Sequence, residues 1–181
     1  GNSNVVTGAE ASISGGYSNT AEGIRSSISG GQGNKTTEQN ASVSGGQDNT
    51  ASGINSSVSG GRYNTASGYA ASVTGGGSNT LLYGNIASGT YSTVVGGDDN
   101  EAYSNGSAIL GGRRNVTGDT SNPDRSIGVN STVSGGVDNT ASGSVSSVSG
   151  GGDNNASGDV STVSGGRERS APGGYDWRGG G

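Results

Sequence analysis

The 181-residue chain contains no His and no Cys. That removes the Ser–His and Cys–His pairs on which most nucleophilic catalysis rests. It also removes the Cys and His sets that hold zinc, and any disulfide framework. Carboxylates remain. Asp98 with Asp99, and Asp119 with Asp124, come nearest to the paired acids of glycoside hydrolysis. Adjacent or loop carboxylates without a cleft are ordinary solvated surface, so no catalytic residue is assigned. Asp48, Asp99, Asp138 and Asp153 recur at one position of a repeat, as calcium ligands would. The same position holds Ser18, Gly33, Tyr63 and Arg114 elsewhere, and the Gly–Asp nonapeptide of calcium-binding rolls is not matched. Phosphate-cradling glycine loops do not fit either, because these glycines do not open a helix. The expectation is a protein that is not an enzyme and carries no metal or cofactor.

Residues suited to binding are few. Two stretches break the repeat. The first, 81–86, is apolar, with Leu81, Leu82, Tyr83 and Ile86. The second, 117–125, is polar, with Asn122, Asp124 and Arg125, and Arg113 and Arg114 lie just before it. Insertions in a repeat protein map to loops, often on the functional face, where they would meet a surface glycan or a protein. The bland reading is loop drift or a lateral packing contact. Both insertions are expected to leave one edge of the fold, about 10 Å apart. The C-terminal Tyr175 and Trp177 suit a subunit contact or an end cap. Seven N-x-S/T sequons, at Asn34, Asn40, Asn55, Asn105, Asn115, Asn130 and Asn155, are candidate glycan acceptors if the source glycosylates.

What positions these residues is a repeat. Residues 41–53 read ASVSGGQDNTASG, and the motif recurs along the chain. Its double glycine returns at Gly15-Gly16, Gly30-Gly31, Gly45-Gly46, Gly60-Gly61 and Gly75-Gly76, 15 residues apart, and then after gaps of 21 and 24 at Gly96-Gly97 and Gly135-Gly136. A fixed period means one unit stacked on itself. Gly, Ser, Thr and Asn are poor helix formers, so helices are excluded. In SVSGG a single Val or Ile stands between hydroxyl residues, and a small residue such as Ala41 or Ser56 lies two positions earlier. That alternation suits a strand with one buried face. In NTASG the Ala faces in. The sequence therefore predicts an all-β, parallel β-solenoid or β-roll of 15-residue coils with two short strands per coil. Ile13, Ile28, Val43, Val58 and their equivalents form one buried column. Asn19, Asn34, Asn49, Asn64, Asn79, Asn100, Asn115, Asn139 and Asn154 stack as a ladder of turn amides that ends at Arg169. Solenoid repeats occupy 1–169, and 170–181 form a C-terminal cap or subunit-contact segment.

The SVSGG and NTASG segments resemble the head repeats of trimeric autotransporter adhesins, the YadA-like family. The closest copies of that family's SVAIG core are Ser42-Val43-Ser44-Gly45-Gly46 and Thr93-Val94-Val95-Gly96-Gly97. The resemblance covers about residues 1–173. It implies a left-handed parallel β-roll that trimerises at a bacterial surface and binds host or matrix surfaces. This chain departs at one position: where the family has Ile, it has the first Gly of each pair.

Composition bounds the function. Only 26% of residues are hydrophobic, with no Phe and no Met, so no thick globular core can form. A net charge of −5 argues against nucleic acid as a partner. No apolar run is long enough to insert in a membrane. The chain begins in mid-repeat, which implies a trimmed or mature product whose targeting segment is not in view. One Val or Ile per coil cannot offset the entropy of ordering 15 residues, so no coil stands alone and self-association is expected. The leading expectation is an extracellular or cell-surface structural or adhesive rod or fibre segment, associating with itself as a trimer or end to end. The alternatives are a surface binding module that uses the two insertion loops, and an ice-binding solenoid. Sparse Thr weighs against the latter.

Overall fold

The computed structural model describes residues 3–77 and 84–179. It is an all-β parallel solenoid of eleven coils, with no helix among the described residues. Each coil contributes one two-residue strand to each of two eleven-stranded parallel sheets. The first coil holds β1 (Val5–Val6) and β2 (Ser12–Ile13), and the eleventh holds β21 (Ser170–Ala171) and β22 (Trp177–Arg178). Odd-numbered strands build sheet A and even-numbered strands build sheet B. Register is strict: Val43 pairs with Val58 in sheet B, and Ala51 with Ala66 in sheet A. A third line of parallel bridges runs through Gln32, Gln47 and Arg62, and resumes through Asp98, Arg113 and Val137. The segment 170–179 is thus the eleventh coil in its own right.

The core is two side chains thick. Sheet B supplies Ile28, Val43, Val58 and their successors, and sheet A supplies Ala21, Ala51, Ala66 and theirs, all at 1% exposure or less. Ile13, expected in the same column, is only half-buried, because it belongs to the first coil of the described residues and is packed from one side among them. Ser26, Ser56 and their equivalents fill the small-residue position. Where sheet A carries Thr instead of Ala, the facing serine takes up the hydroxyl. Thr36 Oγ1 donates to Ser26 Oγ at 2.9 Å, and Thr117 Oγ1 to Ser107 Oγ at 2.8 Å. Ser92, Ser146 and Ser161 bury hydroxyls without a partner.

The Asn ladder is the polar half of the core. Asn49 Oδ1 accepts from the backbone N–H of Asn64 at 3.0 Å, while its Nδ2 donates to Gly45 O and Gly61 O at 3.0 and 2.9 Å. Each fully buried amide thus ties its own turn to the coil above it. Asn79, expected as the rung after Asn64, lies outside the described residues. Asn85 fills it instead, accepting from Asn100 N at 3.1 Å and donating to Gly75 O and Gly97 O. At the far end the backbone N–H of Arg169 donates to Asn154 Oδ1, and Arg169 offers no side-chain amide of its own.

The two glycines of each pair differ. The second has φ of +86° at Gly46, and a Cβ there would fall 2.2 Å from Gly61 O and 2.6 Å from Asn49 Nδ2. A Cβ on Gly45 would meet nothing within 4 Å. The second glycine is required by close approach; the first faces open space.

Both insertions lie elsewhere than expected. The first joins Gly77 to Gly84, at the edge where the chain passes from sheet B to sheet A, and Ile86 belongs to the sheet A strand Ile86–Ala87. The pattern had aligned Asn79-Thr80 with the motif, but Asn85-Ile86 takes that place. The second begins after the buried Thr117 of Val116–Thr117, at the opposite edge, where the chain passes from sheet A to sheet B. The expectation of one shared edge is therefore overturned.

Candidate functional site

The second insertion is closed by two glycines. A Cβ on Gly128 would come 3.0 Å from Gly118 Cα, so residues 119–127 leave and return at nearly one point. Short side-chain turns shape the loop. Asp119 Oδ1 accepts from the N–H and hydroxyl of Ser121, at 3.0 and 2.5 Å, and Asp124 Oδ1 from those of Ser126, at 2.9 and 2.6 Å. These bonds hold both carboxyls below the usual aspartate range. Each carboxylate is occupied by its own turn, which does not favour the paired-acid chemistry weighed above. Asn122 Oδ1 accepts from Asp124 N, and Asn122 O accepts from Tyr103 Oη at 2.7 Å. The Arg125 guanidinium lies 5.0 Å from the Tyr103 ring centroid and donates to Ser88 O. The loop thus lies down on the outer face of sheet A, held there by the Asn122 carbonyl and by Arg125, while Asp124 and the Asn122 side chain bond within the loop. Glu101 sits beside it, in register with Ile86 and Val116. Burial pushes its carboxyl up, against the pull of Arg125.

Arg113 and Arg114 are on the opposite edge. Arg114 makes a two-point contact with Asp138, Nε to Oδ1 at 2.6 Å and Nη2 to Oδ2 at 2.5 Å, which holds Asp138 below its usual range. Burial and the neighbouring Asp98 push Asp99 up. The recurrent Asp48, Asp99, Asp138 and Asp153 have φ of 53–58°. Asp tolerates that left-handed turn, which accounts for their recurrence by backbone geometry. Among the described residues no group of three or more acids is placed to hold a metal ion.

The remaining candidates separate in space. Leu81, Leu82 and Tyr83 lie outside the described residues. Ile86 is a half-exposed strand residue of coil six. Tyr175 and Trp177, 84% and 67% exposed, stand on the last coil, where Trp177 Nε1 donates to Ser164 Oγ at 3.0 Å. Two sequons are corrected. Asn34 and Asn115 are fully buried rungs of the ladder whose amides already donate to two carbonyls each, so neither can carry a glycan in the folded chain. Asn40, Asn55, Asn130 and Asn155 are exposed, and Asn105 is half-buried.

Sequence reasoning missed a second surface. At the edge between sheet A and sheet B, each coil turns through two residues that follow a recurrent glycine, replaced by Glu38 and Ser104 in two coils. Ile24, Ile54, Tyr69, Tyr91, Val145 and Val160 occupy these positions and are 40–63% exposed. Tyr69 and Tyr91 meet edge to face at 5.5 Å. The second turn residue has positive φ in every coil, 58° at Val145 and 57° at Val160, a strained setting for a β-branched side chain that costs on the order of 1–3 kcal/mol. The signal was readable one or two residues after Gly23, Gly53, Gly68, Gly89, Gly143 and Gly158, but only once the turn was known to face outward. No family model matches the chain, and no curated protein matches it in sequence.

Proposed function

We propose that the chain is a non-enzymatic structural rod segment, extracellular or at a cell surface, which associates with itself. The observation that carries this reading is the unbroken ladder: an Asn amide ties each coil to the next from Asn4 to Arg169, within two sheets that run the full length. Such a stack bends little, and its exterior rows of Ser and Thr, as at Ser42, Ser57 and Ser72, keep it wetted. At the strand spacing of about 4.8 Å, eleven coils make a rod about 50 Å long. The likeness to trimeric adhesin heads supports an adhesive role at such a surface and side-by-side assembly. A surface glycan or protein is the partner class that the exposed Tyr175 and Trp177 would suit. Light scattering across a concentration series, with small-angle scattering for shape, tests the proposal. A rod-shaped particle heavier than one chain is expected. A compact particle, or a constant mass of one chain, overturns it.

A further inference from the structure

Among the described residues one aromatic pair is in contact, Tyr69 with Tyr91, its ring planes at 85°. The two stand on the turns of coils five and six, and in sequence the first insertion lies between them. Both rings are open to solvent, 45% and 63% exposed. The backbone fixes their spacing. Tyr91 N donates to Tyr69 O at 2.8 Å, Ala70 N to Ile54 O at 2.9 Å, and Gly106 N to Thr90 O at 2.8 Å. Ala70 and Gly106, before and after Tyr91 in its own column of turns, carry no side chain larger than a methyl. Tyr91 keeps a left-handed backbone, with φ of 58°, at a position that Asn55, Asn130 and Gly106 fill more easily. Strain kept at an exposed site points to use of the side chain. Tyr103 differs, with its hydroxyl given to Asn122 O and Arg125 over its ring.

We propose that Tyr69 and Tyr91 are a site of oxidative cross-linking, joined ring to ring as a covalent staple between coils five and six. The co-reactant is hydrogen peroxide, used through a haem peroxidase. Each phenol gives up one electron and its hydroxyl proton, leaving a phenoxyl radical. The two radicals pair their electrons in a new bond between one Cε of each ring, ortho to the hydroxyl. The hydrogen on each of these carbons then moves to the phenolic oxygen, which restores both aromatic rings and both hydroxyls. In total two electrons and two protons leave the pair, and with them one peroxide becomes two waters. Because the stacked turns hold the rings in contact, the radicals meet without diffusion. The chain has no cysteine and so no disulfide of its own. A link from 69 to 91 spans the first insertion and restricts the unfolded chain as a disulfide would. The inference rests on the extracellular reading above only for the supply of oxidant.

Hydrogen peroxide and a haem peroxidase, added to the intact chain, test this. The fluorescence of coupled tyrosine should appear, on a single chain lighter by two hydrogen atoms. Peptide mapping should join the segment holding Tyr69 to the one holding Tyr91. The share of product linked within one chain should not change on dilution, and the linked chain should melt higher than the parent. Tyr69→Phe and Tyr91→Phe keep the ring and its packing but cannot form the phenoxyl radical. Each should fold as the parent does and lose the intrachain product at least about tenfold. An intrachain product that persists in either variant, or that maps to other tyrosines, overturns the proposal. So do links formed only between chains, and so does no product under conditions that couple free tyrosine. Light scattering on the untreated chain reports separately on self-association. A chain that keeps the mass of one molecule yet forms the link overturns self-association and leaves the staple standing.

Discussion

At single positions the fold separates residues that look interchangeable. Gly45→Ala should leave the melting temperature nearly unchanged, because its Cβ would enter open space. Gly46→Ala should cost about 3 kcal/mol or more, because a Cβ there collides with the next coil's carbonyl and an Asn amide. Equal losses in the two variants, read by thermal denaturation, would contradict the packing. Ser146→Ala should stabilise by about 1 kcal/mol, since the hydroxyl is buried without a partner and Ala41 and Ala71 fill the same position. Two carboxylates should respond to pH with opposite sign. Burial raises the folded pKa of Glu101 above its unfolded value, so the ionised form penalises the fold. Glu101→Gln should therefore stabilise at neutral pH, and the gain should vanish once pH falls below the unfolded glutamate range. The bond from Arg114 depresses Asp138, so its contribution is present above the unfolded aspartate range and is lost as pH falls through its folded value. Asp138→Asn should be slightly destabilising at neutral pH and neutral in strong acid. Melting curves at the two pH values check both.

Among the elements, the loop of 119–127 is an addition that the solenoid does not need. Its removal joins Gly118 to Gly128 and restores a 15-residue coil. The shortened chain should keep its far-ultraviolet dichroism and lose about 1–2 kcal/mol with the Tyr103 and Arg125 contacts. Loss of the β signal would show that the loop is structural. Strands and coil length were legible in sequence because the Val and Ala columns and the Gly pairs repeat at the period of the structure. The insertions were not legible to the same degree. Asn79-Thr80 and Asn85-Ile86 both fit the NTASG pattern, and only the hydrogen bonds of Asn85 to Gly75 and Gly97 separate them. The pattern also counts residues without saying which turn they enter, so two insertions on opposite edges read as one kind of interruption. The apolar edge escaped for a related reason. A lone Ile or Val per repeat looks like noise until the coil lines up Ile54, Tyr69 and Tyr91.

For the whole molecule, stability is a chain of neighbour contacts, since each coil touches only the next. Val58→Asp should break that chain in the middle, placing an unpaired charge between Val43 and Val73. Loss of one cooperative melt, with hydrogen exchange rising first around coil four, is expected; a single unshifted transition would refute it. The Asn ladder has a further consequence, for heredity. Asn49 accepts from Asn64 across a separation of 15 residues, and Asn34 accepts from Asn49 across the same separation. Any two turns can meet in place of the originals. A gene that drops or copies one whole repeat therefore leaves every rung satisfied, while a slip of one codon inside a strand turns that coil's side chains to the wrong face and disturbs the rungs on either side of it. Length is the trait such a protein can vary most freely, in steps of one coil.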